Sequence, residues 1–360
     1  MKIRFLALDS FRGICAISVV LFHLSVLDSI SEINFFRYSY LFVDFFFVLS
    51  GFVITHSLFT RSICPSFSKY FWSRFKRIYP LHFFMLGVFL FFEILKYLAF
   101  NYGFKFNNPP FTGYSSLAEF IPNLLLIQAW SSSFQALSFN YTSWSISVEF
   151  YMYFIFYVLF VICMQRRLMF TPIICFLLGF MVFHDISFFT DKARDGLFAF
   201  FSGSSIYSLY YICSYSKYSV KGLLIDLAEI IVVFSIFILL NSGWLHENKV
   251  ASIAIFSVTV FIFSFELGVV SRFLKNKLFI FLGELSYSIY LTHSAVIFCS
   301  LSAFMVIDKF FKTSFIVVYD SKKFVSFDSI LLSNLFVFSL VLTTVIVAYF
   351  ANKFVENKFR

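Results

Sequence analysis

Charge is what this chain has least of. Only 13% of its 360 residues are Asp, Glu, Lys or Arg, about half the share usual in soluble globular domains. So few charges cannot wet the surface of a soluble fold, and the composition excludes one. Prolines number six, and only Pro172 falls inside an apolar run, so the broken mid-membrane helices of many transporters find little support. The six cysteines lie in apolar runs or at ends assigned below to the cytoplasmic side, and no disulfide framework is expected. No Cys/His cluster has zinc-ligand spacing, and no metal is expected. The net charge of +9 comes without a nucleic-acid motif. Basic residues on cytoplasmic loops account for it, and no nucleic-acid partner is expected.

What is abundant is hydrophobic sequence, 60% of all residues, much of it in runs of about 18 or more, long enough to cross a bilayer. The expected fold class is all-α: a polytopic bundle of about ten transmembrane helices forming one domain over residues 1–360. The expected spans lie near 11–30, 39–60, 81–100, 143–163, 168–186, 195–213, 222–241, 249–268, 279–307 and 330–351. Lys2 and Arg4 before an apolar stretch resemble a secretory signal. Asp9 and Arg12 interrupt that stretch and no small-residue cleavage site follows, so it reads as an uncleaved first helix. The stretch LAEFIPNLLLIQAW (117–130) is too short to span and reads as re-entrant or interfacial. Ten spans put both termini on one side. Eighteen of the 28 basic residues fall on that side and nine on the other, which places both termini in the cytoplasm.

Against this apolar background the ionisable residues inside spans stand out. Arg12 and His23 are eleven residues apart, about three turns plus 20° of an α-helix, hence on one face and about 16 Å apart along the axis. Ionisable groups facing lipid are costly, so this stripe is expected to face the bundle interior or a water-filled cleft. Straight, untilted spans put His23, Asp44, Glu149 and His293 at similar depth in the outer half of the membrane. Two imidazoles and two carboxylates at one level are what a buried acid/base centre needs. Glu93 and Lys96, three apart, read as a local ion pair. In PSFSKYFWSRFKRIYP (65–80), expected as a cytoplasmic loop, Arg74 and Arg77 are three apart, neighbours on one helical face. Two guanidinium groups together suit phosphate oxygens; an interfacial helix resting on anionic lipid is the alternative.

The pieces LDSFRG (8–13), FFFVLSGFVIT (45–55), SRFKRIYP (73–80), SWSISVEFY (143–151), LGELSYSIYLTH (282–293) and FVENKFR (354–360) occur in an order and spacing that resemble the acyltransferase-3 family of integral membrane acyltransferases. The resemblance implies an enzyme that moves an acyl group, usually acetyl, from acyl-CoA to a carbohydrate hydroxyl. In bacteria that glycan is O-antigen, exopolysaccharide or peptidoglycan, and the enzyme sits in the cytoplasmic (inner) membrane. The family's first-helix arginine and histidine map to Arg12 and His23, its paired arginines to Arg74 and Arg77, its SGF segment to Ser50, Gly51 and Phe52, and its fourth-helix glutamate to Glu149. Many members continue into an extracytoplasmic hydrolase-like domain, which is not expected here. Thr292 stands where tryptophan is more usual, and Lys358 where proline is.

Together these readings give an expected mechanism. Acetyl-CoA enters from the cytoplasm with its phosphates on Arg74, Arg77 and Arg12, and its pantetheine arm follows the polar stripe to His23. His23 acts as general base on the acceptor or as nucleophile, its ring oriented by Glu149 or Asp44. The oxyanion donor is expected among Ser143, Trp144 and Ser145. The rivals are a secondary transporter or flippase of a glycan or its precursor, and a non-catalytic helper in polysaccharide assembly.

Overall fold

Apolar runs in a medium without water must satisfy every backbone N–H and C=O internally, and helices do so. The computed structural model describes residues 4–61, 63–103, 106, 108–163, 170–186, 188–215, 222–319 and 322–359. Among the described residues ten helices have fourteen residues or more: α1 (Leu6–His23), α2 (Phe42–Phe59), α3 (Phe67–Asn101), α4 (Ser143–Ile162), α5 (Phe170–Phe183), α6 (Asp191–Tyr215), α7 (Gly222–Asn241), α8 (Lys249–Phe263), α9 (Lys277–Phe311) and α10 (Ile330–Ala351). Each overlaps one expected span. Seven regions, those of α1, α2, α3, α4, α7, α9 and α10, are long and apolar enough to cross a membrane. The chain is therefore an all-α, multi-pass membrane protein. Lys2, Lys105, Arg166, Arg167, Lys217, Lys221 and Arg360, used in the orientation count, lie outside the described residues.

Two helix crossings set the interior. Gly13 of α1 lies against Gly283 of α9, and a Cβ on Gly13 would come 2.6 Å from the Gly283 nitrogen. Gly51 of α2 and Gly203 of α6 pack the same way against the Phe200 and Val48 backbones. Small residues let membrane helices approach this closely where no hydrophobic force drives them together. Around these crossings Phe45, Phe52, Phe156, Phe200, Phe256 and Phe263 are almost wholly buried. On α10, by contrast, Leu331, Leu335, Phe338 and Leu342 are exposed, a lipid-facing surface.

Among the boundaries that differ from expectation, those of α1 and α3 matter for the site. The first helix begins at Leu6 and ends at His23 rather than spanning 11–30. Asp9 does not interrupt it, because Arg4 (2.7 Å) and Arg12 (3.7 Å) neutralise its carboxylate. His23 therefore closes the helix instead of sitting mid-span. The third helix starts at Phe67 and runs 35 residues straight through Pro80, so residues 67–80 are its first turns and not a loop. Membrane helices tolerate the backbone bond that proline removes when neighbours compensate. Residues 117–130 form a 3₁₀ turn (Leu117–Glu119), a short helix (Phe120–Leu124) and turns packed against the start of α4. Ser147 Oγ donates to the Leu126 carbonyl (2.5 Å), and Trp130 Nε1 donates to that of Ser147 (3.0 Å). Glu93 and Lys96 pair at 3.3 Å.

Candidate functional site

At the end of the bundle that holds the N-terminus, α1, α2, α3 and α4 enclose a cavity of about 620 Å³. Arg4, Arg12, Arg61, Arg74 and Arg77 line it, with Asp9, Ser50, His56 and Tyr153. The spacing on α3 brings Arg74 and Arg77 to one wall. The Arg74 guanidinium lies 5.8 Å from the ring centres of both Tyr70 and Tyr153. Arg77 is within electrostatic reach of Tyr153, Glu149 and Glu356. At the rim, Arg4 donates to Asp9 (2.7 Å) and Glu284 (3.0 Å). The bond to Asp9 raises the Arg4 guanidinium above its ordinary pKa, against the opposing effect of partial burial.

Arg12 and Ser50 also line a second, smaller space of about 40 Å³ with Phe46, Phe47, Ser145, Glu149, Tyr287 and Tyr290. Arg12 thus faces the interior, as the stripe argument requires. Glu149 accepts from Ser50 Oγ (2.7 Å) and from the Tyr153 hydroxyl. Tyr290, in the wall of this chamber, has its hydroxyl 2.9 Å from Ser145 Oγ and its ring 5.9 Å from that of His293.

His293 and His23 meet beyond Tyr290. His23 Nδ1 lies 2.9 Å from the Val19 carbonyl oxygen, and His293 Nδ1 lies 3.2 Å from that of Ile289. A carbonyl only accepts, so in each ring Nδ1 carries the proton. His293 Nε2, 3.3 Å from His23 Nδ1, then accepts a share of that same proton. The basic atom left over is His23 Nε2, which has no hydrogen-bond partner among the described residues. Tyr141 covers the pair, its ring 4.8 Å from that of His23 and 6.1 Å from that of His293. Burial raises the Tyr141 phenol above its ordinary pKa. His23 is half-buried and lines neither of the two cavities.

Several expected roles are redistributed. Asp44 does not face His23: Lys249 holds its carboxylate at 2.8 Å and reaches Asp195 at 3.6 Å. Glu149 sits with Arg12 and Ser50, a level nearer the N-terminal end than the imidazoles. The depth argument failed there because α1 starts at Leu6, which moves Arg12 up and His23 to the helix end. Neither carboxylate touches His23; the ring that does is His293. Ser143 is fully buried, with its hydroxyl 2.7 Å from the Asn140 carbonyl and 3.2 Å from Gln128 Nε2. Ser145 divides its hydroxyl between Thr142 (3.1 Å) and Tyr290. Trp144 packs under the Lys192 ammonium, 4.6 Å from its ring centre. The hydroxyls of Ser143 and Ser145 are thus engaged within the start of α4 and its neighbours.

The sequence reading missed other residues. Asn140 ties the start of α4 to α9 beside His293, through Leu291 (3.0 Å) and Ser294 (2.7 Å). Glu356, 1% exposed in a π-helical turn after α10, accepts from Ser288 (2.7 Å). It lies within the terminal motif quoted above, and a π-turn often marks a functional position. Tyr153, one turn beyond Glu149, was legible from the helical period. Tyr141 sits in a loop and gave no signal.

A family model described as an acyltransferase domain matches residues 5–353. Among curated proteins, the acyltransferase MdmB of Streptomyces mycarofaciens is 31% identical over 141 residues, 38% of this chain and 30% of the relative. Protein 2 in the picA locus of Rhizobium radiobacter is 35% identical over 99 residues, 26% of this chain and 49% of the relative. The chain thus covers less than half the length of these relatives. No solved structure matches.

Proposed function

The chain belongs to the acyltransferase-3 family, and from that premise we propose that it is a membrane O-acetyltransferase carrying acetyl from cytoplasmic acetyl-CoA to a hydroxyl of a cell-surface glycan, in a bacterial cytoplasmic membrane. One observation carries this reading. A chamber walled by five guanidinium groups narrows at Arg12 toward a pair of hydrogen-bonded imidazoles.

The vestibule suits a polyanionic nucleotide. Arg74 and Arg77 present planar donors to phosphate oxygens, with Arg4, Arg61 and Arg12 adding positive potential. The pantetheine arm enters past Arg12 and Ser50. The small chamber between Glu149 and Tyr290 holds only about 40 Å³, so Tyr290 swings aside for the thioester to reach His23. His23 Nε2 takes the proton of the acceptor hydroxyl, and the alkoxide oxygen attacks the thioester carbonyl. The C–S bond breaks, the thiolate leaves with the proton held by His23, and CoA and the ester are the products. His293 and the Val19 carbonyl hold the His23 Nδ1–H, which keeps the base on Nε2. Tyr141, whose ring packs against both imidazoles, serves as oxyanion donor.

Mass spectrometry of envelope glycans from cells with and without this gene tests the reading. A difference of one acetyl per repeat supports it. Identical spectra, together with flux of intact glycan precursor in vesicles holding the purified protein, would replace it with the transporter reading.

A further inference from the structure

A third cavity lies at the opposite end of the bundle from the arginines. It encloses about 600 Å³ between the Tyr38 segment and the α7–α8 connection, and Tyr38, Leu239, Ser242, Gly243, Trp244 and Glu247 line it. None of these residues has a part in the transfer chemistry above. Gly243 makes the shape possible. Its φ of +76° is a left-handed conformation, and a Cβ there would come 2.9 Å from the Tyr38 hydroxyl. The Trp244 ring is 46% exposed. Neither its indole N–H nor the exposed Glu247 carboxylate has a hydrogen-bond partner among the described residues.

Partly exposed rings lead from this cavity to the imidazole pair. The Tyr38 ring stacks on His246 at 5.6 Å, and the His246 ring lies 5.9 Å from that of Tyr40, whose hydroxyl bonds its Nδ1. Tyr40 lies 5.2 Å from Phe22, and Phe22 lies 4.6 Å from His23. Trp244 and His246 are exposed, and Tyr38, Tyr40, Phe22 and His23 are half-buried. None is sealed in the core, so their faces form a wall and not a filled interior.

The geometry points to a saccharide-binding subsite on Tyr38 and Trp244, bounded by Glu247, that holds a sugar of the acceptor several rings away from the one presented to His23. A pyranose offers apolar C–H faces that lie flat on aromatic rings and a rim of hydroxyls that need donors and acceptors. An aromatic cavity with a few polar groups at its edge meets both needs. An aromatic at a membrane surface can instead anchor the helix ends among headgroups. Here the ring lines a concavity and shares it with an unpaired carboxylate, which disfavours anionic lipid. The inference rests on the transferase reading for the identity of the ligand as acceptor, and the experiment separates the two.

Full-length protein in lipid nanodiscs is titrated by calorimetry with cellohexaose, maltohexaose, mannohexaose and chitohexaose, and with the matching methyl glycosides. At least one hexasaccharide is expected to bind. Trp244→Ala and Gly243→Ala are expected to weaken it tenfold or more, and the exposed change Glu247→Gln, which leaves packing untouched, to weaken it severalfold. Absence of binding by any hexasaccharide, or equal binding by parent and Glu247→Gln together with Trp244→Ala, overturns the subsite. Strong quenching of Trp244 by brominated lipid without any sugar effect also overturns it and makes the ring an interfacial anchor. Release of CoA thiol from acetyl-CoA, compared between parent and His23→Ala, reports the transferase reading separately. Sugar binding without His23-dependent thiol release keeps the subsite and removes that reading. Thiol release without sugar binding does the reverse.

Discussion

His293 Nε2 lies 3.3 Å from His23 Nδ1, and both rings anchor their own Nδ1 on the carbonyl one turn back in their helices. Two helices that cross at Gly13 and Gly283 thus bring two imidazoles together with a defined proton order. The order has a direction: His293 accepts, His23 donates, and the lone pair that remains is on His23 Nε2.

Removing the acceptor should loosen that order without removing the base. His293→Phe is expected to lower kcat by an order of magnitude or more, within the roughly 10²–10⁴-fold that a positioned acid/base group supplies. The KM for acetyl-CoA should hold. His293→Gln, whose amide oxygen can accept from His23, should recover part of the loss. Steady-state kinetics on the purified variants check this; equal kcat in parent and His293→Phe would make the second ring a packing element.

The arginine vestibule should act on the donor and not on chemistry. Charge-assisted hydrogen bonds contribute about 1.5–3 kcal/mol each, so Arg74→Ala with Arg77→Ala should weaken acetyl-CoA binding by more than 100-fold at about 1.4 kcal/mol per decade. Affinity should also fall as salt rises in the parent and respond less in the variant. Calorimetric titration at two ionic strengths gives both numbers.

Asp44 and Lys249 form an ion pair, with the Asp44 side chain 5% exposed and the Lys249 side chain 32% exposed. Lys249→Met leaves that carboxylate without its cation, and breaking a buried pair costs about 3–5 kcal/mol. Partial exposure of the lysine puts the expected loss at the lower end. Asp44→Leu combined with Lys249→Met should recover much of the thermal stability, and kcat per folded molecule should stay near the parent's. Melting curves and transfer assays on single and double variants distinguish this from a catalytic Asp44.

Gly13 has no space for a side chain. Gly13→Val would press on the Leu282–Gly283 backbone, and overpacking of this kind costs typically about 1–3 kcal/mol. The variant should melt lower and lose transfer activity as α1 and α9 part, since the imidazoles sit one on each. A variant with parental melting and activity would show that the crossing has slack.

Much of the fold was legible in the sequence. The bounds of α7 and α10 fall where apolar runs meet Gly222 and Ser329, and a composition switch that sharp leaves little choice. The starts of α1 and α3 differ from expectation because Asp9 and Pro80 look like interruptions. Neutralisation by Arg4 and Arg12, and tolerance of a missing backbone bond inside a bundle, are tertiary facts. At the site, helical period was enough to put Arg12 inside and Arg74 beside Arg77. It could not say which carboxylate meets which base. A depth estimate needs each helix's true start, and a five-residue error at Leu6 is about 7–8 Å, enough to put His23 wrongly at the level of Glu149. Asp44's partner is 205 residues away on α8, and Tyr141 lies in a loop without periodicity.

The account's central claim is that donor capture and transfer are separate steps at the two ends of one helix, with Arg12 near its start and His23 at its close. Acetyl-CoA titrated into His23→Ala, with ester formation followed in the same sample, tests it most directly. The account predicts donor affinity within twofold of the parent and ester formation reduced by at least 100-fold. Parental ester formation, or loss of donor binding in a variant that remains folded, would contradict it.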